Sequence, residues 1–398
     1  MSVEPSPTRS PTLAPTISWL QNGVAHHARW ISEAGLPAPQ KVTVADDTLA
    51  ADAAFRLIRE GHALLWQGDY QNARNLLQAL ARRADRPPRR GSEPQATTAA
   101  EAFAQHRQAQ GRRAGILGQL LLPLTADYRI PLRRGQDVVE ACTAGLGPAE
   151  PGAGDAVISL RGLLALISAY EWRKKGAFVP ALENRIHPHF GVFSPVRGEY
   201  VDLVAKAPLP SSCNLAFDIG TGSGVLTCLL AKRGIPRVIG TDLDPRAIAC
   251  AQENIQRLGF SDQVQIQSVD LFPHSDQKAD LIICNPPWLP ATPTSPVEAA
   301  VYDPDSRMLR GFLAGAASRL NATGEAWLII SDIAEHLTLR SRDELLGWIS
   351  DNGLMVVDRM DAKPNHPKTR NQTDALHKAR AKEITSLWRL KSAEKLHD

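Results

Sequence analysis

The 398-residue chain is poor in cysteine, and its five cysteines, Cys142, Cys213, Cys228, Cys250 and Cys284, form no CxxC pair. That spacing excludes a disulfide framework and a zinc ribbon. With three of them in apolar, core-like stretches, it reads as a reduced, cytosolic protein. No apolar run approaches the ~20 residues of a membrane-spanning helix, so no membrane partner is expected. The start, MSVEPSPTRSPTLAPT, lacks the apolar stretch of a signal peptide; residues 1–16 read as a disordered tail. Net charge is only +3, so overall charge points to no class of partner. His187, His189, His366 and His377 show no metal-ligand spacing on a helix, and no metal is expected.

What the chain does have is core-forming material for two domains, with 43% hydrophobic and 22% charged residues. Residues 17–185 read as a mainly helical N-terminal domain for substrate recognition. Ala54, Leu57, Ile58, Ala63, Leu64 and Leu65 recur at helical spacing, and Ala73, Leu76, Leu77 and Leu80 do so after Gly68-Asp69. Further helices are expected at 99–110 and 160–170. Between Arg82 and Arg134 stand 11 arginines against four acids, a local +7. Such a run is either a solvated helical face or a surface for RNA, a ribosome or an acidic protein.

From Ser211 the pattern alternates. Strands are predicted at 215–219, 238–242, 264–266, 281–284, 326–331, 354–359 and 384–390, with helices at 223–233, 245–258, 305–320 and 342–350. The fold class is therefore α/β: a Rossmann-like, seven-stranded, doubly wound sheet over residues 211–398. The last two strands lack an intervening helix and fit an antiparallel hairpin arm at one edge. Residues 186–210 form an inter-domain lid or hairpin.

Four strand ends carry candidate chemistry. The first runs into Asp218-Ile219-Gly220-Thr221-Gly222-Ser223-Gly224 just before a helix, where glycines let backbone amides approach a ligand. The spacing is G-x-G-x-G, with Val225 following, which argues against a nicotinamide or flavin site. The second ends in Thr241-Asp242-Leu243-Asp244. A carboxylate there can accept both hydroxyls of a ribose, while Asp244 and Pro245 suit a helix start. After the third, Asp270 and Leu271 offer a polar edge and an apolar face for an adenine. The fourth, Leu281-Ile282-Ile283-Cys284, stops at Asn285-Pro286-Pro287-Trp288. Two prolines remove two donors and fix φ twice, leaving a rigid ledge with an amide, carbonyls and an indole. Alone, each is a turn or a common strand end. Together they occupy the edge where open α/β sheets bind ligands.

On FDIGTGSG, TDLDPRA and NPPW in that order, residues 186–335 resemble the class I S-adenosylmethionine-dependent methyltransferases. The likeness is to the small-domain branch with an NPP-aromatic motif. That branch includes protein-glutamine methyltransferases of release factors and ribosomal proteins, and adenine and guanine amino-methyltransferases of RNA or DNA. The resemblance implies that Asp218, Gly220, Thr221, Gly222, Ser223 and Gly224 line the methionine moiety. Asp242, with Leu243 beside it, would hold the ribose, and Asp270 with Leu271 the adenine. Asn285, Pro286, Pro287 and Trp288 would form the acceptor site, Asn285 also bordering the cofactor.

The chemistry of the ledge agrees with that assignment. An amide or aromatic amine nitrogen is a weak nucleophile because its lone pair is delocalised. Accepting its two N–H bonds at Asn285 Oδ1 and the Pro286 carbonyl would localise that pair and aim it. Trp288 is either a core aromatic or a face on which a planar amide or base stacks.

Pro195, Arg197 and Glu199 are similar to the lid segment of the glutamine enzymes, although Val196 and Gly198 depart from it; an edge hairpin and a helix start are the alternative. Residues 301–307 read as a loop and cap, or as a closing segment over the acceptor. The tail from Ala362 to Asp398 holds nine Lys/Arg against four acids, a basic stretch that touches phosphate or only solvates. The expected reaction is methyl transfer to a planar nitrogen, with a protein glutamine amide as acceptor. An exocyclic amine of a base in RNA or DNA is the alternative. A non-catalytic methyltransferase-fold binding subunit is the reading from another class, and the intact glycines, Asp242 and NPPW argue against it.

Overall fold

The computed structural model describes residues 15–86, 96–195, 198–274, 276–293, 296–364 and 376–393. The chain divides into two compact units, one of residues 1–90 and 110–168, the other of residues 91–109 and 169–398. No helix among the described residues is long and apolar enough to cross a membrane. Residues 1–14 of the expected tail lie outside the described residues, and Thr16 already opens the first strand.

The first unit contains β1 (Thr16–Gln21), β2 (Val24–Ile31), β3 (Val42–Ala45), α1 (Ala51–Arg59), β4 (Ala63–Trp66) and α2 (Tyr70–Ala84). After these come α3 (Ala99–Gly118), β5 (Leu120–Leu124), α4 (Val139–Leu146), β6 (Ala156–Ser159) and α5 (Leu160–Lys175). α3 and α5 each run from one unit into the other. The strands form one sheet in the order β1-β2-β6-β5-β4-β3. This corrects the expectation of a mainly helical domain: the helices are there, but they flank a mixed six-stranded sheet. The cause is local. Ala63-Leu64-Leu65-Trp66 continues the helical spacing of α1 on paper, yet Gly61 at φ +90° ends that helix, and the run is a strand buried along its whole length. A short apolar run fits either structure until its neighbours are known. Here the neighbours are β3 and β5, both parallel to it.

The second unit begins with a hairpin of β7 (Ala177–Val179) and β8 (Asn184–Ile186), then α6 (Glu199–Lys206). Val196 and Arg197 of the expected lid segment lie outside the described residues. The alternating series follows: β9 (Leu215–Ile219), α7 (Val225–Lys232), β10 (Arg237–Asp242), α8 (Pro245–Leu258), β11 (Val264–Ser268) and β12 (Ala279–Cys284). It continues with α9 (Arg307–Arg319), β13 (Leu320–Ser331), α10 (Ile333–His336), α11 (Arg342–Asp351), β14 (Leu354–Ala362), α12 (His377–Arg380) and β15 (Thr385–Ser392). The sheet order is β11-β10-β9-β12-β13-β15-β14, parallel as far as β13. β15 is antiparallel to both β13 and β14, so the hairpin arm is present, with its second strand on the inside.

Both faces of this sheet are covered. Leu281 and Ile283 of β12 join a core built with α6, α7 and α8, whereas Ile282 and Cys284 join one built with α9 and α11. That two-sided burial is why the strands read as continuous apolar runs. The winding reverses between β9 and β12, and such a switch point opens a crevice at the carboxyl ends of the strands.

Candidate active site

Strand register brings three of the expected residues level. β9 pairs Ile219 with Thr241 of β10 and with Cys284 of β12. The residues that follow, Gly220, Asp242 and Asn285, therefore leave three adjacent strands side by side. Neighbouring strands lie about 4.8 Å apart, so the three backbones fall within ~10 Å of one another.

The glycine loop is held on both sides. Thr221 N donates to Thr241 O at 2.8 Å and Gly222 N donates to Asp242 Oδ2 at 3.0 Å. The Ser223 carbonyl accepts from buried Asn254 Nδ2 at 3.1 Å. Gly220, Gly222 and Gly224 all have positive φ, at +74°, +56° and +80°. A Cβ on Gly220 would stand 2.3 Å from Met308 Cε, and one on Gly224 would stand 3.1 Å from Ala251 Cα. The left-handed conformation thus favours glycine at both positions, and at Gly224 the backbone of α8 crowds a Cβ as well.

Asp218 is fully buried at the end of β9. Thr227 Oγ1 donates to its Oδ2 at 2.5 Å, while Oδ1 has no hydrogen-bond partner. Burial pushes its carboxyl up to about 6. Burial also raises Asp242, although the Asp244 and Gly222 amides oppose it. Asp244 N donates to Asp242 Oδ1 at 3.0 Å, so each oxygen of Asp242 keeps a free lone-pair direction. Leu243 beside it is 56% exposed, a large apolar side chain at the crevice edge. Asp244 caps α8 by accepting from Arg246 N at 2.9 Å.

At the β11 end, Asp270 is exposed and paired with Arg307, and Leu271 sits at φ +59° with its carbonyl accepting from Thr241 Oγ1 at 2.5 Å. Gly311 of α9 lies against the Leu271 side chain. The first turn of α9 therefore spans the crevice, with Arg307 at Asp270 and Met308 at Gly220. Buried Asp303 fixes that turn by accepting from Met308 N at 2.9 Å and Leu309 N at 3.2 Å. Residues 301–307 are thus a loop and cap.

On the ledge, Asn285, Pro287 and Trp288 are half-buried and Pro286 is buried. Trp288 Nε1 donates to Asn285 Oδ1 at 3.0 Å. Trp288 also packs against an apolar cluster of Phe103, Leu289, Ile333, Leu337 and Leu376. Past the ledge the chain returns on itself: Asp303 N donates to Leu289 O at 2.8 Å and Leu289 N to Val301 O at 3.2 Å.

Residues 183–342 match a family model described as methyltransferase small domain. The chain is 34% identical over 110 residues to a release factor glutamine methyltransferase of Cereibacter sphaeroides, a match covering 27% of this chain and 38% of the relative. It is 30% identical over 127 residues to a tRNA1(Val) (adenine(37)-N6)-methyltransferase of Bacteroides thetaiotaomicron, covering 30% of this chain and 54% of that one. A solved ribosomal protein L11 methylase of Lactobacillus delbrueckii subsp. bulgaricus superposes with a TM-score of 0.33 at 18% identity, over 48% of this chain and 76% of that one. The two curated relatives are thus matched over about a third to a half of their own length, 38% and 54%.

Several residues of this domain escape a reading of the sequence alone. Thr227 is a lone hydroxyl in an apolar helix start, Val225-Leu226-Thr227-Cys228, and that polar exception is a signal in retrospect. Asn254, Arg307 and Met308 act through partners far along the chain, while Asp303 bonds the amides of nearby Met308 and Leu309.

Proposed function

We propose that this protein is an S-adenosylmethionine-dependent N-methyltransferase acting on a planar nitrogen held at residues 285–288, with a protein glutamine amide as the acceptor. The observation that carries the reading is the level row of Asp242, Gly220 and Asn285. It sets a hydroxyl-binding acid, a glycine loop and an amide-bearing ledge on neighbouring strand ends. The buried, unpartnered Asp218 Oδ1 fits the cofactor, because a buried carboxylate oxygen needs a donor and an ammonium group supplies one. S-adenosylmethionine supplies a methyl group made electrophilic by its sulfonium.

This chain's own residues would do the positioning. Asp242 accepts ribose hydroxyls, Leu243 and Leu271 give apolar faces, and Asp270 offers an acceptor to the adenine edge. Asn285 Oδ1 uses one lone pair on Trp288 and keeps another for the acceptor N–H, with the Pro286 carbonyl as second acceptor. Held this way, the nitrogen lone pair is aimed for in-line attack. Developing positive charge on nitrogen meets carbonyl oxygens, and the extra proton leaves to water afterwards, so no general base is needed.

A glutamine in a release factor or ribosomal protein is favoured by the release-factor relative. It is also favoured by the state of the arginine-rich stretch. Arg83, Arg107, Arg113, Arg129, Arg133 and Arg134 are all ion-paired with acids, which leaves less basic surface for nucleic acid. An exocyclic adenine amine is the second reading, supported by the tRNA relative; the base would have to be extruded onto Trp288. The free thiols, four of them buried, fit a reducing compartment such as the cytoplasm. The test is tritiated methyl transfer from S-adenosylmethionine into bacterial extract by the purified full chain, followed by nuclease or protease. Protease-sensitive label is expected, and label removed by nuclease alone would overturn the glutamine assignment.

A further inference from the structure

Arg107 stands 191 residues before Glu298 in sequence, yet it is tied to the segment that follows the acceptor ledge at three points. Its Nη1 pairs with Glu298 Oε2 at 3.0 Å, and its Nη2 donates to the Thr292 carbonyl at 2.6 Å. Its guanidinium lies 3.9 Å over the Tyr302 ring. Phe103, one helical turn earlier on the same face, meets Tyr302 at 6.4 Å between ring centroids. The pair is not a loose surface contact, because the Arg107 and Glu298 side chains are only 15% and 29% exposed. A planar, five-donor guanidinium is the side chain that can stack on an aromatic and bond two oxygens in its own plane.

We propose that the helical segment 99–109 is part of the acceptor site and that Arg107 is its positioning residue. The proposal rests on the reading of residues 285–288 as an acceptor ledge. Tyr302 is bridged to Leu289, next to Trp288, and Asp303 fixes the first turn of α9, whose Met308 covers Gly220. Arg107 thereby sets the height of the chain that leaves the ledge and, through Asp303, the turn that faces the glycine loop. Phe103 closes the apolar cluster against which Trp288 packs. Acceptor geometry would then depend on a helix that no local motif of the methyltransferase segment contains.

Full-length wild type, Arg107→Ala, Arg107→Lys and Asn285→Ala separate the possibilities. Three readouts are needed: calorimetric binding of S-adenosylmethionine, backbone hydrogen exchange, and tritium transfer across a dilution series of bacterial extract. In Arg107→Ala, exchange at 289–293 and 298–303 is expected to rise about tenfold, the scale of one lost charge-assisted hydrogen bond. Transfer at saturating extract should fall by about the same factor, with cofactor affinity held within about twofold. Arg107→Lys keeps the ion pair without the planar stack and should lie between. Unchanged exchange and transfer in Arg107→Ala would overturn the proposal. So would loss of cofactor binding together with core protection at β9 and β12, since Arg107 would then only support the fold. Asn285→Ala that transfers normally would sink the ledge reading, while the exchange result still reports on the clamp.

Discussion

Trp288 donates its indole N–H to Asn285 Oδ1 at 3.0 Å, so the ring and the amide of the ledge form one unit. The bond fixes which edge of the carboxamide faces outward and leaves one Oδ1 lone pair for an acceptor. Trp288→Phe keeps an aromatic face but removes the donor. Transfer is expected to fall about tenfold with cofactor affinity unchanged, as for loss of one orienting hydrogen bond. Asn285→Ala should cost on the order of 100-fold or more, because the acceptor nitrogen loses its main partner. A Trp288→Phe enzyme with wild-type rates would reduce the indole to a stacking surface.

Asp242 accepts from Gly222 N and Asp244 N, one bond at each oxygen, and so shapes the glycine loop as well as facing the crevice. Asp242→Ala leaves both amides without that partner and removes the expected ribose contacts. Calorimetry should show S-adenosylmethionine affinity reduced at least about 100-fold, the sum of two such losses. Asp242→Asn keeps one acceptor oxygen and should lose less. Equal affinities in all three proteins would remove Asp242 from the cofactor site.

The pH dependence of cofactor binding follows from Asp218. Its carboxyl is raised from an ordinary 3.8 to about 6, chiefly by burial. A raised acid binds its proton more tightly when folded, so the unliganded protein loses stability as pH rises between about 4 and 6. An ammonium partner requires the ionised form. Affinity for S-adenosylmethionine should therefore increase by up to about tenfold per pH unit below pH 6 and level off above it. In Asp218→Asn that slope should become markedly shallower, with Asp242 the raised acid that remains at the site. A slope of the same size in both proteins would assign the titration to another group.

The seven-stranded sheet is legible in the sequence because its signals are local. Runs such as Leu281-Ile282-Ile283-Cys284 are apolar on both faces, and each is stopped by glycine, acid or proline, which mark the carboxyl ends. The level placement of Gly220, Asp242 and Asn285 needed the register, which no single strand encodes. The first unit was harder for a related reason. Ala63-Leu64-Leu65-Trp66 and Leu120-Leu121-Leu122 are too short to show a period, and only pairing with their neighbours makes them strands. In the sequence Arg107 is one charge in a basic run. Its role lies in Thr292, Glu298 and Tyr302, and sequence spacing carries no trace of them.

Gly224 offers a stability test that leaves the chemistry aside. It caps α7 at φ +80°, and a Cβ there would lie 3.1 Å from Ala251 Cα and 3.2 Å from Ala251 Cβ on α8. Neither obstacle is the end of a flexible side chain, so the two helices would have to separate or the turn would have to change. Gly224→Ala combines left-handed strain with overpacking, together costing roughly 2–4 kcal/mol. Gly220→Ala meets only Met308 Cε, the tip of an adaptable side chain, so its cost is expected to be mainly the strain of φ +74°, about 1–2 kcal/mol. Chemical denaturation of the two variants should therefore rank Gly224→Ala as the less stable. Met308→Ala should recover part of the loss in Gly220→Ala and none of that in Gly224→Ala. The reverse ranking would mean that α9, rather than the contact between α7 and α8, sets the tolerance of the loop.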